Sequence, residues 1–96
     1  MSFSIGWAIA HIRQGGKARR RGWNGHGMWI ALSPGSAGLS AEKFWSPANR
    51  AFAIANGGAA PVLPCITMKT ASDEIQMGWL ASQADLLADD WEDADG

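Results

Sequence analysis

Turn-forming residues recur so closely along this chain that no regular element can run far before it is stopped. Gly15-Gly16, Asn24-Gly25, the run Ser33-Pro34-Gly35-Ser36-Ala37-Gly38, Asn56-Gly57-Gly58 and Ala71-Ser72-Asp73 divide its 96 residues into short pieces. Glycine and asparagine accept positive φ at small cost and proline removes a backbone donor, so each cluster favours a turn over a continued helix or strand. Short helices and short strands are what remains. A chain of this length supports one domain, which buries only about 60 to 65% of its unfolded surface.

The pieces differ in period. Ser4 is a candidate N-cap, and Ile5, Ala8, Ile9 and Ile12 follow at the spacing of one helical face, with Gly6 weakening the pattern. Trp7 lies off that face and is expected to pack on the following strands or a neighbouring subunit. Lys17 to Trp23 and Met28 to Ser33 read as two strands of a hairpin joined at Asn24-Gly25. The Ser33–Gly38 run is expected to be a loop and the most flexible stretch. Ser40 to Trp45 gives one helical turn. A helix starts at Ser46, with Pro47 at the first helical position and Ala48, Ala51, Phe52 and Ala55 as its apolar face. Val62 to Thr70 reads as a strand, Val62, Ile66, Met68 and Thr70 on one face and Leu63, Cys65, Thr67 and Lys69 on the other, with Pro64 marking an edge or entry point. Glu74 to Trp79 pairs back as a short strand. Ser82 and Asp85 form a capping box for a last helix that continues through Leu86, Leu87 and Ala88. The fold class is therefore α+β: a small antiparallel β-sheet packed with two to three short α-helices in a single domain, residues 1–96, with 1–3 and 93–96 frayed.

Six tryptophans and four methionines are more large apolar side chains than one small core readily covers, which points to self-association. The cations Arg13, Lys17, Arg19, Arg20 and Arg21 lie early and the acids Asp85, Asp89, Asp90, Glu92, Asp93 and Asp95 lie late, so head-to-tail pairing within or between protomers is expected. A net charge of -1 argues against a general nucleic-acid coat. Cys65 has no intrachain partner for a disulfide. Neither a secretory leader nor an apolar run of the roughly 18 residues a spanning helix needs is evident, which leaves a cytoplasmic protein without a membrane partner.

Catalytic and metal chemistry find little support. His11 and His26 do not stand at metal-ligand spacing from Cys65 or a carboxylate pair, so no metal is expected. Gly15-Gly16-Lys17 lacks the upstream glycine of a phosphate loop and follows a helix, not a strand. Ser82, Asp85 and His26 make no convincing triad, because helix capping explains the first two, and Asp89 and Asp90 read as a solvated acidic face. Binding without turnover and without a cofactor is the better class. The stretch Arg19-Arg20-Arg21-Gly22-Trp23-Asn24 unites cations, an aromatic face and an amide, which suits an anionic ligand carrying a base. A structural hairpin with solvated arginines is the plain alternative, as are contacts to RNA or DNA phosphates.

Three ordered segments sharpen this. Arg20-Arg21-Gly22-Trp23-Asn24-Gly25, Pro64-Cys65-Ile66-Thr67-Met68-Lys69-Thr70 and Trp79-Leu80-Ala81-Ser82-Gln83-Ala84-Asp85-Leu86-Leu87-Ala88-Asp89-Asp90-Trp91 resemble the second Thoeris anti-defence family of small phage and prophage proteins. The resemblance runs from about Ile5 to Glu92. It implies a sponge: a homo-oligomer, in the family a tetramer, that holds a cyclic ADP-ribose isomer, glycocyclic ADP-ribose, intact and so silences the Thoeris effector. Cyclic dinucleotides are ligands of some members. The ligand-binding residues it implies are Trp23, Asn24, Met68, Lys69, Ser82, Gln83 and Asp85, to which Arg20 and Met28 are added, with the N–H groups opening the Ser82 helix as an anion site. Tryptophans 79 and 91 are expected in core or interface. Cys65, Gly78 and Arg19 depart from the family pattern and are expected to tune ligand choice. A phage structural subunit without a ligand is the remaining alternative.

Overall fold

A computed structural model of the chain describes residues 2–95. Helix α1 (Ile5–Arg13) is followed by β1 (Ala18–Arg20), β2 (Trp29–Ser33) and β3 (Ser36–Ser40), a single 3-10 turn at Ala41–Lys43, helix α2 (Pro47–Ala55), β4 (Ala59–Val62), β5 (Cys65–Lys69), β6 (Ile75–Met77), helix α3 (Gln83–Leu87) and β7 (Trp91–Asp93). The class is α+β, with a five-stranded antiparallel sheet in the order β6-β5-β2-β1-β7 and a two-stranded sheet of β3 and β4. Contacts gather in two compact units, one formed by Met1–Ser33 with Cys65–Gly96, the other by Pro34–Pro64.

The larger unit has its core where α1 covers the sheet. Ala8 and Ile12, one turn apart on the expected face, are buried with Ala18, Ile30, Met68 and the completely buried Trp91. Gly15, at φ 92°, ends α1 as expected. Trp7 is not idle: it stacks between Phe3 and His11, with ring centroids 4.6 Å and 4.8 Å away. The C-terminal segment, expected to fray from 93, instead forms β7 along β1, pairing Asp93 with Ala18 and Trp91 with Arg20. Phe3 and Trp91 exchange both backbone hydrogen bonds, at 2.9 and 3.0 Å, which ties down the other expected fraying end. Residues 1 and 96, also expected to fray, lie outside the described residues.

Ion pairs reinforce the β1–β7 seam. Lys17 reaches Asp95 at 2.7 Å, Arg19 reaches Glu92 at 3.1 Å, and His11 lies 3.3 Å from Asp93. The head-to-tail charge complementarity is thus satisfied inside one protomer.

Several local expectations are corrected. Strands β1 and β2 do pair, Ala18 against Ile30, but Asn24-Gly25 is not their tight turn. Residues 21–28 form a longer loop in which the positive φ belongs to Gly27, at 72°. The Val62–Thr70 strand is two strands: Leu63-Pro64 interrupts it, β4 joining the small sheet and β5 the large one. Residues 36–38, expected within the flexible Ser33–Gly38 loop, belong to strand β3, which pairs with β4. In α2 the expected face, Ala48, Ala51, Phe52 and Ala55, is exposed, and Ala53 is the buried residue. The helix ends themselves follow the sequence: Ser46 Oγ accepts from Asn49 N–H at 3.4 Å, and Gly57 and Gly58 take φ of 88° and 99°.

Candidate ligand-binding site

The last helix begins as its sequence dictates. Ser82 Oγ accepts from the Asp85 N–H at 3.1 Å and Asp85 Oδ2 accepts from the Ser82 N–H at 3.1 Å, the reciprocal pair that satisfies two otherwise orphaned donors. That local motif fixes Asp85 with its second oxygen turned inward, and the rest of the site is assembled around it. Asp85 Oδ1 accepts from Arg20 Nη1 at 2.8 Å and from Trp23 Nε1 at 3.0 Å. The Asp85 main-chain carbonyl accepts from Trp91 Nε1 at 3.1 Å. Arg20, whose side chain is 17% exposed, turns its Nε to Asp90 Oδ1 at 2.8 Å, and Asp90 Oδ2 accepts from the Gly22 N–H at 2.8 Å.

Asp85 therefore joins β1, the 21–28 loop and α3 through its buried carboxylate, and β7 through its main-chain carbonyl and Trp91. Burial pushes the Asp85 carboxyl upward, but the donors from Trp23, Arg20 and Ser82 outweigh it and hold the group below the usual carboxylate range. Arg20 lowers Asp90 in the same way, and both carboxylates raise the arginine. Asp90, expected in a solvated acidic face, is instead a structural partner of a cation seventy residues earlier in the chain.

Trp23 is held from a second side. Its ring meets Trp91 edge-on at 5.3 Å and Trp79 at 6.1 Å, and Trp79 meets Trp91 at 6.5 Å, so three indoles form a mutual T-shaped cluster. Trp91 is fully buried, whereas Trp23 and Trp79 are half-buried. At the other side of the loop, Met28 packs beside Gly25, which also approaches Ala71, and a carbon added at Gly27 would lie 3.2 Å from Lys69 Nζ. Lys69 itself donates to the exposed Asp73 at 2.7 Å.

The expected site residues accordingly fall into three groups. Arg20, Trp23, Ser82 and Asp85 share one network, while Met28 closes the 21–28 loop beside Gly25 and Lys69 meets that loop from β5. Asn24 and Gln83 are exposed, whereas Met68 is buried in the core beneath β5. Two of the positions departing from the family pattern are spent structurally: Arg19 on Glu92 and Gly78 on a positive φ of 80°. Cys65 is half-buried, opposite Ser33.

Sequence reasoning missed Asp90, whose role depends on a long-range partner. It also missed a cavity of about 280 Å³ inside the Pro34–Pro64 unit, lined by Phe44, Asn49, Phe52, Ala60, Pro61 and Val62. Among the described residues no cluster of three or more His, Cys, Asp or Glu side chains could hold a metal ion. Among the same residues no helix is long and apolar enough to cross a membrane.

Comparison with known proteins covers nearly the whole chain. A family model described as the Thoeris anti-defense 2-like domain matches residues 3–94. The protein "Thoeris anti-defense 2" of Bacillus phage SP01 is 34% identical over 90 residues, a span that takes in 93% of this chain and 91% of the relative. The chain belongs to the Thoeris anti-defense 2-like family.

Proposed function

We propose that this protein is a phage or prophage anti-defence sponge, which in the host cytoplasm captures a cyclic nucleotide immune signal, glycocyclic ADP-ribose in the first instance, and holds it without turnover. Family membership supports the anti-defence role. The ligand class is supported by one observation above all. The 21–28 loop contacts the opening of α3 through Trp23 and Asp85 and meets β5 at Lys69, so the three segments that carry the family resemblance converge.

In this reading the residues divide by what they still have to offer. Trp23 presents an indole whose orientation is preset, and a purine stacked on it contributes about 1 to 3 kcal/mol. Lys69 exchanges its exposed partner Asp73 for a phosphate, because a solvent-screened pair of this kind is weakly held. Asn24 and Gln83 supply amides for ribose or base, and Met28 an apolar wall. Arg20, Ser82 and Asp85 hold Trp23 in place, since their donors and acceptors are largely committed to one another; Met68 supports Lys69 from the core.

A sponge needs nanomolar affinity, about 12 kcal/mol. One stack and a few charge-assisted contacts fall short of that, so a second copy of the chain closes the pocket, in keeping with a homo-oligomer. The test is to incubate purified protein with glycocyclic ADP-ribose, remove unbound ligand, heat the protein and chromatograph what is released, with a cyclic dinucleotide carried in parallel. Recovery of unaltered glycocyclic ADP-ribose supports the proposal. A chemically changed product contradicts capture without turnover, and retention of the cyclic dinucleotide alone contradicts the assigned ligand.

A further inference from the structure

Three consecutive residues donate to a single one. Arg20 Nε reaches Asp90 Oδ1 at 2.8 Å, the Arg21 N–H reaches the Asp90 main-chain carbonyl at 3.2 Å, and the Gly22 N–H reaches Asp90 Oδ2 at 2.8 Å. Asp90 is itself a fixed point. It immediately precedes Trp91, which is completely buried and exchanges both backbone hydrogen bonds with Phe3. Among the described residues, the hydrogen bonds that residues 21–28 donate end on Arg20, Asp85 and Asp90. The bond to Asp85 secures the Trp23 indole, so the main chain entering the loop is left to Asp90.

Gly22 bears the mark of the same contact. It does not take the positive φ that Gly15 and Gly27 on either side do, so backbone freedom does not explain a glycine there. Close approach does. A side-chain carbon at Gly22 would lie 2.7 Å from Asp90 Oδ2 and 3.3 Å from Arg20 Nη2. Any larger residue therefore pushes the carboxylate off the loop.

We propose that Asp90 is a positioning residue for ligand capture: its carboxylate, clasped on Arg20 and Gly22, sets the path of the 21–28 loop and so places Trp23 and Asn24 for the incoming ligand. The inference rests on the capture reading above, to which Asp90 adds no ligand contact, both its oxygens being engaged within the protein. Its effect is on how much of the protein stands ready to bind. Apparent Kd rises as the reciprocal of the competent fraction, so a loop left in place about a tenth of the time captures about tenfold more weakly.

A double-mutant cycle on the full chain tests it, read by amide hydrogen exchange without ligand and by calorimetric titration of glycocyclic ADP-ribose. Asp90→Ala and Gly22→Ala are each expected to speed exchange of the Arg21 to Asn24 amides, to spare those of β2 and β5, and to raise Kd about tenfold. The cycle separates positioning from a general loss of stability. Once Asp90→Ala has removed the carboxylate, an added carbon at Gly22 has nothing left to displace but the Arg20 side chain, so Gly22→Ala should then change Kd by less than about twofold. Where Asp90→Ala loses its far-UV spectrum, Gly22→Ala alone decides, because it moves only side-chain ends. Unchanged exchange at residues 21–24, an unchanged Kd in either single variant, or an equal cost of Gly22→Ala in both backgrounds overturns the inference. A wild type that takes up no ligand contradicts capture instead, and exchange at residues 21–24 then decides the clasp by itself.

Discussion

The two compact units are built on opposite plans. In the sheet unit the large side chains go inside: Trp91 is completely buried, Ile12, Ile30 and Met68 pack with it, and Trp23 and Trp79 close against its edges. Polar groups there are wired across long sequence distances, Arg20 to Asp85 and Asp90, Trp23 to Asp85. In the Pro34–Pro64 unit the order is reversed, with alanines inside and Trp45, Phe52 and Leu63 outside. The first arrangement presets the 21–28 loop through Trp23, which under the proposed ligand capture lowers the ordering cost of binding. The second leaves its large apolar side chains exposed.

Substitutions distinguish these plans by both size and reach. Trp91→Ala is expected to be the most damaging, removing about 3 to 5 kcal/mol. That is most of what a domain of this size has in hand, so denaturant titration should find the sheet unit without a cooperative transition. Asp85→Asn comes next, at roughly 2 to 3 kcal/mol, because Arg20 and Trp23 lose an ionised acceptor. Its pH dependence carries the diagnosis. The Asp85 carboxyl is held below its ordinary value, so its contribution is complete above the unfolded pKa of about 3.9 and is lost as pH falls through the lower folded value. The stability gap between wild type and Asp85→Asn should therefore be full at neutral pH and close in acid; a gap constant down to pH 2 would contradict the ion-pair account.

Gly35→Ala addresses the other unit. Gly35 has φ of 77°, and a side-chain carbon there would overlap the backbone of Val62, Leu63 and Pro64, so a loss of about 1 to 3 kcal/mol is expected. Hydrogen exchange should show that loss in amides of residues 36–62 and spare those of β2 and β5. The smallest effect is a gain. Gly6 lies in α1, exposed, with only Ser4 Oγ at ordinary contact distance from an added carbon; Gly6→Ala should add about 0.5 kcal/mol, read as a small rise in Tm.

What could be read from the sequence was what is decided within a few residues. The Ser82–Asp85 capping box, Ser46-Pro47 at the head of α2 and the glycines that end α1 and α2 are local, and they appear where the residue types require. Long-range competition accounts for the rest. Asn24-Gly25 has the chemistry of a tight turn, but Trp23 is drawn to Asp85 and the loop opens. Residues 36–40 carry few strand-forming side chains and become a strand because β4 offers them partners. The wrong face was assigned to α2 because alanine is small enough to be buried on any side, so a pattern of alanines points nowhere. At the candidate site, Trp23 and Asp85 were legible as family positions, but their bond to one another, and the recruitment of Asp90, depend on a β1–β7 pairing that no local pattern announces.

Capture tight enough to silence a signal is the central claim, and calorimetric titration of glycocyclic ADP-ribose into the purified full chain measures it most directly. Nanomolar Kd, about -12 kcal/mol, saturating at a fixed ligand-to-chain ratio is the expected result. Absence of heat, or a Kd no tighter than micromolar, would contradict it.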